Sequence, residues 1–402
     1  MPGSSNQDIR VGLLWHSTNS GNLGVGALTV ANQAIVREVA AELGLTPRFI
    51  VIQPRDTGTP TLDLGDAQSF VIDRNSMLKP SGFWRMIDKV DCALDIGAGD
   101  SFADIYGPRR YFFLWFTKLL TILRGVPLVL SPQTIGPFTK PAYKVLARMV
   151  MRRSKIVVAR DALSRDIALE ISPESNVALA VDVAFVLPFE DRSALRNGDK
   201  LRIGINASGL LFHEAEIGRN RFGLSYDYAQ FTRDLLAELS ARPDVEIYLV
   251  PHATSKTDPS DDDGALADRL HAEFPSTVRV PNFNTPSDAK TFISSLDLLV
   301  SGRMHACIGA FSSGTPVVPV AYSRKFTGLF GLLNFDEVLP VQGLTKEDAL
   351  AFVRSAMERR AELAQKQAAG MTVVQGLLDV YRDALRTVFR QATTAGRRHR
   401  GG

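Results

Sequence analysis

A chain of 402 residues is longer than a single hydrophobic core usually supports, so two domains of roughly 150 to 200 residues each are expected. Hydrophobic residues at 45% and charged residues at 22% exclude disordered, collagenous and fibrous classes. A net charge of +3, from 46 Lys and Arg against 43 Asp and Glu, is too small to argue for a nucleic-acid-binding surface.

Cys92 and Cys307, the two cysteines, both fall in apolar runs, which predicts buried free thiols, a cytoplasmic setting and no disulfide framework. Met1 to Arg10 is polar and lacks the apolar stretch of a secretory leader. The segment from Tyr111 to Leu130 is interrupted by Lys118, Arg124, Gly125 and Pro127 before the ~20 apolar residues that a membrane crossing needs. It reads as a buried helix followed by a strand. Its cluster of Phe112, Phe113, Trp115 and Phe116 would also suit a peripheral contact with a bilayer.

In chain order, short β-rich runs alternate with helical patterns, the signature of parallel sheets built from βαβ units. The first series of predicted strands is Val11 to Trp15, Arg48 to Ile52, Cys92 to Ile96, Pro127 to Leu130, Ile156 to Ala159 and Val177 to Val181. Between the first two, Ile35, Val39 and Leu43 repeat every four residues and Gly44 follows as a stop, which predicts a helix over Leu28 to Leu43. Pro188 to Lys200 has mixed charge, Asn197 and Gly198 but no apolar period, so the domain boundary is expected there. The second series is Leu201 to Ala207, Glu246 to Val250, Val278 to Val280, Leu298 to Val300 and Val317 to Ala321. Lys346 to Arg390 is helical in period and could cross back onto the first domain. The expected division is residues 1–190, 200–345 and 346–395, with a basic tail carrying Arg397, Arg398 and Arg400.

Ligands of open parallel sheets collect beyond the carboxyl ends of the strands. There the sequence is unusual. After the first strand, His16 leads through Gly21, Asn22, Gly24 and Gly26 into a helix. A glycine-rich turn at a helix start presents backbone N–H groups to an anion, although this spacing fits neither a dinucleotide fingerprint nor a P-loop. A purely structural turn would leave the same trace. Later strands are followed by Gly97, Gly99, Asp100 and Ser101, by Gln133, Thr134 and Gly136, and by Arg160, Asp161 and Ser164. The glycines permit close approach of a ligand, Gln133 and Ser164 offer neutral hydrogen bonds to hydroxyl groups, and Arg160 offers a fork for carboxylate or phosphate or a pair with Asp161.

In the second half, Leu298 to Ser301 runs into Gly302, Arg303, Met304 and His305, then an apolar helix that stops at Gly314. The next strand delivers Tyr322, Ser323, Arg324 and Lys325. These residues share one rim, and a strongly cationic site is expected. Helix residues two apart point about 200° away from each other, so Arg303 and His305 converge only if the first turn is irregular or a ligand sits between them. His252 follows another strand and precedes the acidic run Asp261, Asp262 and Asp263, which reads as solvated. Its spacing fits no standard metal-ligand motif, leaving a role in orienting a sugar or nucleotide, or a structural one.

The run from Ser301 to Pro316, with Arg303 and His305, and the following Tyr322 to Gly328, with Lys325, closely resemble the Arg-x-His helix and Lys loop of the polysaccharide pyruvyltransferase family. Ser131 to Phe138, Val158 to Ser164 and Pro251 with His252 resemble its other landmarks, in the same order. The resemblance implies an α/β fold of two Rossmann-like domains, with parallel sheets facing across a cleft as in GT-B glycosyltransferases. It also implies phosphoenolpyruvate as the donor and does not imply a metal; no cofactor is expected, and the saccharide acceptor could be lipid- or nucleotide-linked. By residue, Arg160 and Arg303 would hold the donor's phosphate and carboxylate, Lys325 would add a third cation, and His305 would be the acid/base. Ser323, Arg324, Asn22, Gly24, Gly99, Asp100, Gln133, Ser164 and His252 complete the expected binding surface. One departure bears on the acceptor: the family's Gly-Asn-x-Gly turn usually continues with acidic residues, where this chain has Val25 and Gly26. Two other readings stay open, a GT-B glycosyltransferase whose Arg303 and Lys325 hold the diphosphate of a nucleotide sugar, and a non-catalytic binding protein of the same fold.

Overall fold

The computed structural model describes residues 7–55, 62–79, 81–255 and 258–400, with side chains as far as residue 394. Residues 1–6 and the side chains of Arg397, Arg398, His399 and Arg400 lie outside that description. The first sheet comprises β1 (Gln7–Leu14), β2 (Leu45–Pro54), β3 (Gln68–Ile72), β4 (Cys92–Asp95), β5 (Leu128–Gln133), β6 (Ile156–Ala159) and β7 (Val177–Leu179). All its pairings are parallel, in the order β3-β2-β1-β4-β5-β6-β7. The second sheet comprises β8 (Leu201–Asn206), β9 (Val245–Leu249), β10 (Val278–Arg279), β11 (Leu298–Ser301), β12 (Val317–Ala321) and β13 (Leu339–Pro340). It too is parallel, in the order β10-β9-β8-β11-β12-β13.

Both sheets therefore reverse their strand order beside the first strand of each, between β1 and β4 and between β8 and β11. Such a reversal opens a crevice at the carboxyl ends of the two strands. The architecture is two Rossmann-like domains. Strands β4, β5 and β11 are buried along their whole length, which is why they read as continuous apolar runs. One buried apolar cluster includes Val11 and Phe49 of the first domain, Phe311 and Phe330 of the second, and Tyr381 and Phe389 of the C-terminal helix. The two domains thus meet over a shared apolar core.

The C-terminal segment forms two helices, Lys346–Glu358 and Arg360–Arg400. From the longer one, Arg382 and Arg386 pair with Glu38 at 3.0 Å and Glu42 at 2.8 Å on the Leu23–Glu42 helix of the first domain. Its Tyr381 hydroxyl donates to Asn32 Oδ1 at 2.9 Å and lies 2.8 Å from Ser131 Oγ. Asn32 in turn reaches the Nε2 of the buried His16 at 2.9 Å, while His16 Nδ1 lies 3.1 Å from the Leu14 carbonyl. Burial holds that imidazole neutral, with its pKa lowered to about 3. Farther up the same helix, Gln367 bonds the Thr315 carbonyl and the Val317 N–H of the second domain. The segment 188–200 is tied to the second domain, where Arg196 donates to the carbonyls of Ser294, Ser313 and Gly314.

Three features differ from the sequence-based expectation. The first helix begins at Leu23 and not Leu28, capped by Asn22, whose Oδ1 accepts the Gly24 N–H at 2.9 Å. Gly24 and Gly26 are therefore helical, and the cap occupies one of the N–H groups expected to face an anion. Strand β3 is unpredicted, as is the two-residue β13. Finally, Lys118 is fully buried against Asp95 at 2.9 Å and lies 4.8 Å from the Phe102 ring centroid. Along the Pro108–Leu123 helix, Phe112 and Phe116 are exposed, whereas Trp115 donates to the Leu146 carbonyl at 2.9 Å. No helix among the described residues is long and apolar enough to cross a membrane.

Candidate active site

On the second domain, β11 ends at Ser301, whose hydroxyl donates to Asn206 Oδ1 at 2.7 Å and accepts the Arg303 N–H at 3.0 Å. That turn leaves Arg303 as the N-cap of the Met304–Ser312 helix, in extended backbone conformation. Its side chain is thereby freed from the helical rotation and runs to Asp263, with Nη2 at 2.6 Å and Nε at 3.1 Å from Oδ1. Nη2 also lies 2.7 Å from Asp261 Oδ1. Asp263, fully buried, further accepts from Asn206 Nδ2, the Gly209 N–H and the N–H groups of His252 and Ala253, at 3.0 to 3.2 Å. Burial opposes its charge, but Arg303 and these donors outweigh burial and hold its carboxyl below the usual range.

His305, the second residue of the same helix, points the other way. Its ring packs on the first domain: a Cβ added at Gly24 would sit 2.3 Å from its Nδ1. Nε2 lies 3.7 Å from Asp182 Oδ2, beyond hydrogen-bond reach. That nitrogen is buried and has no hydrogen-bond partner among the described residues. Asp182 follows β7 and accepts Arg160 Nη1 at 2.8 Å and the Ala184 N–H at 2.9 Å. Complete burial would raise its pKa, yet His305 and Arg160 outweigh this and bring it down to about 2. Arg160 Nε donates to Thr134 Oγ1 at 2.9 Å, and Gly99 passes close by, a Cβ there reaching within 3.6 Å of Arg160 Nη1.

Between these two groups, Lys325 pairs with Asp100, which also accepts the Tyr106 hydroxyl at 2.7 Å. Arg324 Nη2 crosses to the Gly136 carbonyl at 3.1 Å, and Asn22 forms a backbone bridge with Ala253. Ser323 caps the Arg324–Leu332 helix by position without a side-chain hydrogen bond. His252 lies buried beside His305 and Arg303; burial, reinforced by His305, pushes its pKa down to about 3. The domains therefore touch at four places around His305.

Comparison with known proteins gives this site a lineage. The sequence profile of the polysaccharide pyruvyl transferase family matches residues 35–324. The chain belongs to that family. It is 20% identical over 296 residues to the amylovoran biosynthesis protein AmsJ of Erwinia amylovora, covering 71% of this chain and 70% of the relative. Among solved structures, HepE of Anabaena in complex with UDP and glucose superposes with a TM-score of 0.51, 12% identity and coverage of 94% and 99%. MnaA of S. aureus with UDP gives 0.54, 12%, 90% and 91%. These structural likenesses establish the fold, two facing Rossmann-like domains of the GT-B kind.

Within this member of the polysaccharide pyruvyl transferase family the expected residues divide. Arg160, Arg303, His305, Lys325, Asp100, Gly24 and Gly99 gather at the domain junction, with Asn22, His252 and Arg324 at its edge. Ser164 does not offer a free group to a hydroxyl, and Gln133 keeps only its buried Oε1 without a partner among the described residues. The Gln133 amide donates to the Asp95 and Ser131 carbonyls, and Ser164 Oγ donates to Asp161 Oδ2 while accepting the Ile135 N–H. Asp161 caps the helix that carries Ser164 and does not pair with Arg160.

The expectation of a strongly cationic rim is corrected as well. Arg160, Arg303 and Lys325 each face a carboxylate, from Asp182, from Asp263 with Asp261, and from Asp100. Asp263, read as part of a solvated acidic run, is the buried anchor of Arg303. The sequence does signal Asp182, an acid between Val181 and Val183 just past a strand. It does not signal which cation that acid serves.

Proposed function

We propose that the protein transfers the pyruvyl group of phosphoenolpyruvate to two hydroxyls of a saccharide, forming a cyclic ketal in the biosynthesis of a polysaccharide or cell-surface glycan. The observation that supports this most is the His305 imidazole at the domain junction, its Nε2 buried and unbonded 3.7 Å from the carboxylate that holds the buried Arg160. Arg160 has committed Nε and Nη1, and Arg303 has committed Nε and Nη2. In this reading the remaining nitrogen of each would bind the donor's phosphate and carboxylate, with Lys325 as the third cation.

In this mechanism His305, protonated, gives its proton to the methylene carbon of phosphoenolpyruvate as a sugar hydroxyl attacks the adjacent carbon. The imidazole then takes that hydroxyl's proton, leaving a tetrahedral adduct that carries a methyl group, carboxylate, phosphate and the sugar oxygen. A second hydroxyl displaces the phosphate, and its proton leaves on inorganic phosphate. No metal or cofactor enters any step. Gly24 and Gly99 keep the backbone close to the reacting carbon, and Asp182 orients Arg160 against it. The buried free thiols Cys92 and Cys307 support a reducing, cytoplasmic setting.

The test is incubation of the purified protein with phosphoenolpyruvate and a panel of lipid-linked and nucleotide-linked saccharides, followed by phosphorus NMR. Acceptor-dependent release of inorganic phosphate with a pyruvylated product is expected. Release of nucleoside diphosphate from a sugar nucleotide would instead mark a glycosyltransferase.

A further inference from the structure

Beyond the carboxyl end of β1, the first domain holds a pocket of about 760 Å³ whose wall carries Arg55, Arg74, Arg109 and Arg110 against one carboxylate, Asp73. Two of these arginines are engaged. Arg55 pairs with Asp73 at 3.0 Å, and Arg110 donates to Ser101 Oγ at 2.6 Å with its guanidinium 5.1 Å from the Tyr106 ring centroid. Arg74 and Arg109 are exposed and have no ion pair or hydrogen bond to another side chain among the described residues. Arg109 also opens the Pro108–Leu123 helix, whose N-cap, Gly107, offers no side-chain acceptor, so the positive end of that helix adds to the same wall. Between the arginines the lining is aromatic, from Trp15, Tyr106 and Phe113. The donor cluster has a carboxylate for each cation, whereas here cations exceed carboxylates.

The pocket adjoins that cluster. Tyr106 lines it and donates to Asp100, the partner of Lys325. Val25 lines it too, and its neighbour Gly24 lies against the His305 ring. An acceptor seated in the pocket would therefore present its hydroxyls towards His305.

We infer that this pocket holds a phosphate ester of the acceptor, so that the saccharide arrives joined to a phosphate or diphosphate group gripped by Arg74 and Arg109. The word acceptor rests on the pyruvyl-transfer reading; the anion site itself does not. Val25 adds no negative charge to the wall, which suits such a ligand.

Calorimetry tests this with a nucleoside diphosphate sugar, a short-chain prenyl diphosphate sugar in detergent, the same sugar unlinked, and phosphoenolpyruvate. The proteins compared are the parent, the double variant Arg74→Ala/Arg109→Ala, and Val25→Asp, whose new carboxylate sits in the first turn of a helix, where acids are tolerated. At least one diphosphate-linked sugar should bind tenfold or more tightly than the unlinked sugar, and the better of the two identifies the carrier. The double variant should lose about 10- to 100-fold of that affinity, at roughly three- to tenfold per arginine. Val25→Asp should weaken it as well, with phosphoenolpyruvate binding and the melting temperature unchanged in both variants. Equal binding of the unlinked sugar, a double variant that binds like the parent, or selective loss of phosphoenolpyruvate binding would overturn the assignment. Arginine-dependent diphosphate binding in a protein that turns over no phosphoenolpyruvate would refute pyruvyl transfer and leave the pocket's role standing.

Discussion

Asp182 of the first domain and His305 of the second face each other at 3.7 Å, and the same carboxylate takes a 2.8 Å hydrogen bond from Arg160. One buried acid thus positions a histidine and an arginine contributed by different domains. Asp182→Asn keeps the shape but removes the charge, leaving Arg160 buried without its counter-ion. Such a loss typically costs about 3 kcal/mol, and turnover should fall about tenfold or more with a rise in KM for the donor. Steady-state kinetics and urea denaturation check both; unchanged kinetics would exclude the positioning role.

Gly24 is the place where a single methyl group should disable the site while sparing the fold. Its backbone is helical, so alanine is compatible with its conformation, but the added Cβ would meet His305 Nδ1 at 2.3 Å. The imidazole has to swing away. Gly24→Ala is expected to lower kcat at least tenfold with little change in melting temperature, and parental turnover would show that the ring position is immaterial.

Asp263 accepts hydrogen bonds from Arg303, from Asn206 and from three backbone N–H groups. In Asp263→Asn the buried Arg303 retains only the half-exposed Asp261, and the amide cannot accept from all the former donors. A loss of roughly 3 to 5 kcal/mol in unfolding free energy is expected, together with weakened donor binding. A variant as stable as the parent would show that this network is dispensable.

Acid should unfold the protein earlier than its carboxylates alone would require. His16 and His252 have folded pKa values near 3, set chiefly by burial, against 6.5 in the unfolded chain. Between those values the unfolded chain binds more protons, so stability is complete above pH 6.5 and declines as the pH falls towards 3. Each imidazole accounts for on the order of 5 kcal/mol across that window. Denaturation midpoints from pH 8 to pH 4 measure the slope, which should flatten in His16→Gln; an identical slope would place the acid sensitivity elsewhere.

Strands β6 and β12 coincide with the predicted Ile156 to Ala159 and Val317 to Ala321, because a short apolar run between polar residues is what a central parallel strand looks like in sequence. Strand β3 lies at the sheet edge, mostly exposed, and its apolar run is only three residues long, Phe70 to Ile72. The first turn of the Leu23–Glu42 helix contains two glycines and therefore little helical propensity. Packing against His305 and Pro286 is what holds it. Arg303, His305 and Lys325 could be found because strand ends gather ligands. Their carboxylate partners could not, since Asp182 is 22 residues from Arg160, Asp263 is 40 from Arg303, and Asp100 is 225 from Lys325. Those pairs exist only in space, and they change the site from an open cationic rim to a charge-balanced junction.

The most direct measurement is the rate of acceptor-dependent phosphate release from phosphoenolpyruvate by His305→Ala beside the parent, with donor affinity determined for both. If the imidazole is the acid/base, the rate falls by roughly 10²- to 10⁴-fold while the donor still binds within a few-fold of the parent. Turnover at the parental rate would contradict the role given to His305 and with it the pyruvyl-transfer mechanism.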